Sequence, residues 1–283
     1  MNQIQQGISL VCATKNRYQE LRRLLVSLQT QTSQQFELIL VDQNESDLLV
    51  DLVEEFKSNI KIIHLRHSFS SNTKARNTGA KYASCAWVGF PDDDCWYLAD
   101  TIAKLLEQIK RVKTEGIFIN WSDPLPAIPK KMFSFEAGIM KLDEAFTLAS
   151  CICIFFKTET FQQVNGFNET MGLGNDTVVK AGEEQDLMLK IISQGGRIFK
   201  DPTNLVYHSM NERTWDEEFR NRIKSQGACD VYFTRKYKSW FQASKLQVRW
   251  FVGIFFNLLR GRKKNMQWYF YKLLGAITLA HKL

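Results

Sequence analysis

Through roughly the first 120 residues, apolar runs of strand length alternate with segments of helical period, and this alternation limits the fold more than any other feature. "ISLVCA" (8–13) is apolar and β-branched almost throughout, as a strand buried on both faces must be. Leu21, Leu24, Leu25 and Leu28 then recur at i, i+3, i+4 and i+7, the stripe of an amphipathic helix. "FELILVD" (36–42), "IKIIHL" (60–65), "AWVGF" (86–90) and "GIFIN" (116–120) continue the strands. "LLVDLVEEFK" (48–57), "NTKARNTGAKYAS" (72–84) and "WYLADTIAKLLEQIKRV" (96–112) supply helices, the second with Asn72 or Thr73 as N-cap. The pattern predicts an α/β fold, a mainly parallel twisted sheet flanked by helices and joined by right-handed crossovers. Such sheets bind ligands beyond the carboxyl ends of their strands. Polar residues gather at those ends here: 14–17 after the first strand, Asp42 after the second, Asp92 to Asp94 after the fourth.

Downstream, Pro124, Pro126 and Pro129 break residues 121–150, where loops are expected. "ASCICIFFK" (149–157) reads as a strand and "TETFQQVNGF" (158–167) as a short helix ending at Gly166. Residues 172–196 read as a Gly-rich loop and a helix closed by Gly195 and Gly196, and "RIFKD" and "LVYH" complete the core. From about residue 211 the chain turns basic, aromatic and helical, giving a division into 1–210 and a C-terminal extension, 211–283.

The formal charge of +7 favours anionic partners without choosing among nucleotides, lipid and nucleic acid. Six cysteines show neither a CxxC pair nor metal-finger spacing, as in a reducing compartment. No secretory signal and no apolar run of spanning length is visible, so a cytoplasmic location is expected.

Asp92, Asp93 and Asp94 stand in a row, and adjacent carboxylates repel by a few kcal/mol where water is partly excluded. One aspartate would serve as a helix cap; three suggest a divalent cation whose shell a diphosphate completes. In "AGEEQDLMLKIIS" the stripe of Leu187, Met188, Ile191 and Ile192 places Glu184 near its middle at 100° per residue, with Glu183 and Asp186 to either side. A carboxylate at the rim of the core suits a general base; a solvated acidic first turn is the plainer alternative. His208 closes "NLVYH" as a structural histidine or a metal ligand. Arg76 is a surface residue or a phosphate contact, and Thr14 and Asp42 are turn residues or nucleotide contacts. In the tail, "VRWFVGIFFNLLRGRKK" and "MQWYFYKLLGAITLAHKL" set aromatics beside Arg249, Arg260, Arg262, Lys263 and Lys264. They form either a cap on the core or an interfacial helix pair on anionic lipid.

From Ile8 to His208 the order of these motifs resembles the inverting GT-A glycosyltransferases of family two, which build bacterial surface polysaccharides. "FELILVDQNESD" is similar to the segment whose Asp42 position contacts the nucleotide. "VGFPDDDCWY" is similar to the DxD motif, "VNGFNE" to the acceptor-side segment, and residues 182–208 to the catalytic segment with its trailing histidine. The resemblance implies a GT-A fold, a UDP- or dTDP-linked sugar donor, Mg²⁺ or Mn²⁺, and one displacement with inversion. It implies catalytic Glu184, Glu183 or Asp186, with Glu184 as base. Thr14, Asp42, Arg76, Asp92 and Asp93 would bind the nucleotide-sugar, and Asp92, Asp94 and His208 the metal. A lipid-linked or glycan acceptor at the inner membrane face follows. Two departures stand out: Glu183-Glu184 replaces the usual Glu-Asp pair, and Gln43 replaces one of two aspartates after Val41.

Other classes fit less well. A sugar nucleotidyltransferase needs a Gly-rich phosphate loop after the first strand, and "ATKNRYQ" has no glycine. No GxGxxG follows a strand, which disfavours NAD. A nucleic-acid module rests on charge alone, and the basic residues are dispersed.

Overall fold

The computed structural model describes residues 5–283 except 69, 125–129, 132, 175–176 and 210–213. Pro126, Pro129 and the start of the extension at residue 211 lie outside the described residues. Four strands form the parallel half of one sheet: β1 (Gln5–Thr14), β2 (Phe36–Asp42), β3 (Ile62–Arg66) and β4 (Cys85–Gly89). Helices α1 (Tyr18–Gln29), α2 (Val50–Phe56) and α3 (Asn72–Ala80) connect them. β2 is buried along its whole length, and the four leucines of the α1 stripe are fully buried, as their spacing requires. The α3 N-cap is Ser71, one residue ahead of expectation; its hydroxyl accepts from Lys74 N.

The second half is mixed. β5 (Cys95–Tyr97), α4 (Thr101–Arg111), β6 (Gly116–Asp123), β7 (Lys130–Lys131), β8 (Gly138–Ile139) and β9 (Ile154–Lys157) precede α5 (Thr158–Gln163), α6 (Glu183–Ser193) and β10 (Ile198–His208). The strand order is β3-β2-β1-β4-β9-β6-β10-β5, with β7 on β6 and β8 on β10, ten strands among the described residues. β9 runs antiparallel between β4 and β6, so the fourth and fifth predicted strands are not neighbours. Trp96 and Tyr97 belong to β5, not to the helix expected from residue 96; β5 turns back to pair antiparallel with β10. The aspartates therefore lie in a turn between strands and cap no helix.

Three helices close the chain: α7 (Glu217–Tyr237), α8 (Trp240–Leu259) and α9 (Lys263–Thr278). α7 and α9 cross at two glycines. A methyl at Gly275 would fall 1.8 Å from the Lys224 carbonyl oxygen, and one at Gly227 would fall 2.1 Å from that of Lys272. Lys272 Nζ reaches Asp230 at 2.7 Å across the same seam, over the rings of Trp250 and Trp268.

Candidate functional site

The parallel strands of the sheet point their carboxyl ends to one edge, and the acidic triplet lies there. The backbone of Asp92 bridges to Ala13, extending β1 and β4 toward each other. β10 brings His208 to the same place, because the antiparallel register pairs His208 with Cys95, the residue after Asp94. His208 Nε2 lies 3.2 Å from Asp94 Oδ1. Its ring stands edge-on to Trp121, and Nδ1 has no hydrogen-bond partner among the described residues.

Two arginines, one of them shared, answer part of the repulsion between the aspartates. Arg76 Nη2 donates to Asp92 Oδ1 at 2.5 Å. Arg17 Nη1 donates to Asp94 Oδ2 at 2.5 Å and lies 3.7 Å from Asp93 Oδ1. Burial pushes the Asp93 carboxyl up to about 7, with Asp92 and Asp94 adding to the rise and Arg17 opposing it. Burial acts in the same direction on Asp94, but His208 and Arg17 outweigh it and hold that carboxyl at about 2. The Asp94 hydrogen bond raises the His208 pKa against the effect of burial.

Arg76 is almost fully buried on α3. Burial works against its charge, and Asp92, Glu184 and Glu183 around it more than compensate. Its Nη1 lies 3.9 Å from Glu183 Oε1, and neither Nη1 nor Nε has a hydrogen-bond partner among the described residues. A buried guanidinium with two unpartnered donors is costly to keep, and Arg76 is held beside Asp92 and Glu183 at that cost.

A cavity of about 340 Å³ opens over this group. Arg76, Asp92, His208 and Trp121 form one side, and Glu183 and Glu184, at the first turn of α6, form another. The helical-wheel expectation for Glu184 does not hold. Glu183 and Asp186 are buried, while Glu184 is half-buried and the most open of the three. α6 is covered nearly all round, Leu187, Met188, Leu189 and Ile191 alike, so it has no single apolar stripe to measure from. Openness to the cavity suits Glu184 to meet a substrate. Burial, and then Glu184, push the Glu183 carboxyl well above the usual range while Arg76 opposes. Asp186 pairs with Lys190 at 2.6 Å and does not line the cavity.

Three expected nucleotide contacts, Thr14, Asp42 and Asp93, do not line the cavity, nor does the expected metal ligand Asp94. Asp42 is fully buried: Oδ1 accepts from Asn44 N and Nδ2 at 2.9 and 2.7 Å, and Oδ2 lies 3.0 Å from His64 Nε2. Thr14 is buried toward Asp93, and its hydroxyl makes no hydrogen bond of ordinary geometry. Gln43, where the resemblance leads one to look for an aspartate, accepts from Ser71 N at 2.9 Å and ties β2 to the start of α3.

The C-terminal extension also lines the cavity, a role that no motif in the tail announces. Arg222 and Gln226, one turn apart on α7, line the cavity. α7 also braces the segment that leads into α6. Ser225 Oγ accepts from Lys180 N at 2.9 Å, and Cys229 Sγ lies 3.2 Å from the Ala181 carbonyl. Gly182, the N-cap of α6 at φ 94°, has room for no side chain, since a Cβ there would meet Cys229 Sγ at 2.5 Å. Arg17 belongs to the polar group 14–17 after the first strand, but its pairing with Asp94 has no pattern in the sequence.

Residues 9–157, from β1 through β9, match the description Glycosyl transferase family 2. The chain belongs to glycosyl transferase family 2. It is 24% identical over 197 residues to an uncharacterized glycosyltransferase of Haemophilus influenzae, covering 66% of this chain and 62% of that protein. Over 117 residues it is 25% identical to the Escherichia coli UDP-Glc:alpha-D-GlcNAc-diphosphoundecaprenol beta-1,3-glucosyltransferase WfaP, covering 41% of this chain and 45% of WfaP. The chain thus spans less than two thirds of these relatives. Staphylococcus aureus TarS 1–349, solved in complex with UDP-GlcNAc, shares the fold with a TM-score of 0.62 at 20% identity. That match covers 80% of this chain and 66% of the TarS chain, and it supports the expected GT-A fold.

Proposed function

We propose that the protein transfers a sugar from a UDP- or dTDP-linked donor to a lipid-linked or polysaccharide acceptor, with inversion at the anomeric carbon. One observation carries this reading: a half-buried carboxylate, Glu184, shares a cavity with a buried arginine that has free donors and with the Asp92 and His208 side chains. Family membership and the UDP-Glc donor and diphosphoundecaprenol acceptor named for WfaP support the donor and acceptor classes.

The acceptor hydroxyl attacks the anomeric carbon from the face opposite the diphosphate. Its oxygen forms the new glycosidic bond as the bond to the leaving phosphate breaks, and Glu184 takes the hydroxyl proton. Glu183, kept neutral by burial beside Arg76, adds no charge that would repel the donor. Arg76 receives the diphosphate on its free donors. Asp94 and His208 fit a Mg²⁺ or Mn²⁺ ion as protein ligands, with Asp92 near the donor, although no three such groups converge among the described residues. Mg²⁺ commonly takes one or two carboxylates and leaves the rest of its shell to water and phosphate, so a sparse set suits it. When bound, the ion supplies positive charge to the leaving diphosphate. The work takes place at the inner face of the membrane, against which the C-terminal helices rest.

Transfer and donor-hydrolysis assays across a panel of nucleotide-sugars test the reading. One donor should be turned over with Mn²⁺ or Mg²⁺, and Glu184→Gln should cut turnover roughly 10²–10⁴-fold with the fold intact. Full activity of Glu184→Gln, or no turnover of any donor, would refute it.

A further inference from the structure

The outward face of α8 is more apolar than a water-facing surface should be. Phe241, Val248, Phe251, Val252, Phe255 and Leu259 follow spacings of three, four and seven, one stripe of the helix, and all are exposed. Phe251 and Phe255 are 65% and 61% exposed and Leu259 71%. The opposite face is the packed one: Ala243, Trp250 and Asn257, seven residues apart, are buried. α8 thus carries two apolar faces, and the fold covers only one. Contiguous exposed apolar surface on this scale marks a binding face.

Charge identifies the occupant. Residues 240–283 hold eight Lys and Arg and no Asp or Glu. Lys245, Arg249, Arg260, Arg262, Lys263 and Lys264 are all exposed, the last four at the turn between α8 and α9. Two copies of this chain docked through α8 would set these cations against each other with no acid to answer them. Anionic headgroups answer them. No helix among the described residues is long and apolar enough to cross a membrane, which leaves α8 lying along one.

We infer that the outward stripe of α8 is a bilayer-docking face. It lies in the interface of an anionic membrane, with Phe251 and Phe255 in the acyl boundary and the 260–264 basic turn at the headgroups. This deepens the membrane part of the reading above and stands apart from its chemistry. Because α7 packs against both α8 and α9 and also braces the segment that leads into α6, the docked face and the cavity belong to one packed unit.

Flotation of the purified full chain with phosphatidylcholine vesicles, with and without phosphatidylglycerol, tests it. Binding should require phosphatidylglycerol and weaken with salt. It should fall at least tenfold in the Phe251→Asp, Phe255→Asp double variant, and about fivefold per residue reversed at Arg262, Lys263 and Lys264. These side chains are exposed, so the variants should keep the wild-type circular dichroism, melting midpoint and UDP binding. No vesicle binding by wild type would overturn the inference. So would equal binding to neutral vesicles, or a dimer in sedimentation equilibrium that the double variant dissolves. UDP binding and turnover in solution are scored separately, so failure here leaves the chemistry standing and failure there leaves the docking face.

Discussion

Helices α4 and α8 make an instructive pair. Both are amphipathic by spacing and both carry basic residues. α4 turns Ile102 and Leu105 into the core and leaves Lys104, Lys110 and Arg111 in water. α8 buries a narrow seam through Ala243 and Trp250 and leaves its broadest aromatic stripe outside. The sheet explains every apolar residue of α4. Nothing within the described chain explains the stripe of α8, so its partner lies beyond the fold. Periodicity reports that a helix has an apolar face. It does not report whether protein or lipid covers it.

The comparison can be broken by substitution. Leu105→Ala removes a fully buried side chain from the α4 face and should cost about 2–5 kcal/mol, read as a lowered urea midpoint. Gly275→Ala forces a methyl against the Lys224 carbonyl and pushes α9 off α7. It should cost about 1–3 kcal/mol or more, and turnover should fall with stability because α7 braces the Gly182 loop. Phe255→Ala removes a larger side chain than either, yet in vesicle-free buffer it should change stability by no more than about 0.5 kcal/mol. A Phe255→Ala loss comparable with that of Leu105→Ala would mean that the chain itself covers the α8 stripe.

The same contrast explains what could be read from the sequence. The parallel half was legible because β1, β2 and β4 are buried over most of their length and read as nearly unbroken apolar runs, while β3 at the sheet edge is only half-buried. The place of the site followed from the rule for strand ends, and Arg76, Asp92, Glu184 and His208 meet in one cavity. Strand direction was not legible: β9 and β5 are antiparallel, and their partners lie far away in sequence. Trp96 and Tyr97 suit either a strand or a helix, and only pairing with β10 decides. Glu184 was read as the most inward of the three acids and is the most open, because wheel geometry presumes one buried side and α6 is packed nearly all round. Asp42 lies at a strand end but turns inward: its bond to Asn44 is the turn contact that the sequence allowed, whereas its pairing with His64 has no local signature. Arg222 was missed because the tail looked like an appendage, whereas α7 forms a wall of the cavity.

The central claim is that the Asp94–His208 pair holds a cation carrying a nucleoside diphosphate, with His208 lining the same cavity as Glu184 and Asp94 reached through it. Calorimetric titration of the better bound of UDP and dTDP, with Mn²⁺ and with chelator, tests it most directly in wild type and Asp94→Ala. Wild-type affinity should rise roughly tenfold or more with Mn²⁺, and Asp94→Ala should lose that gain while keeping the metal-free affinity. Metal-independent binding in wild type, or an undiminished Mn²⁺ effect in Asp94→Ala, would contradict the account.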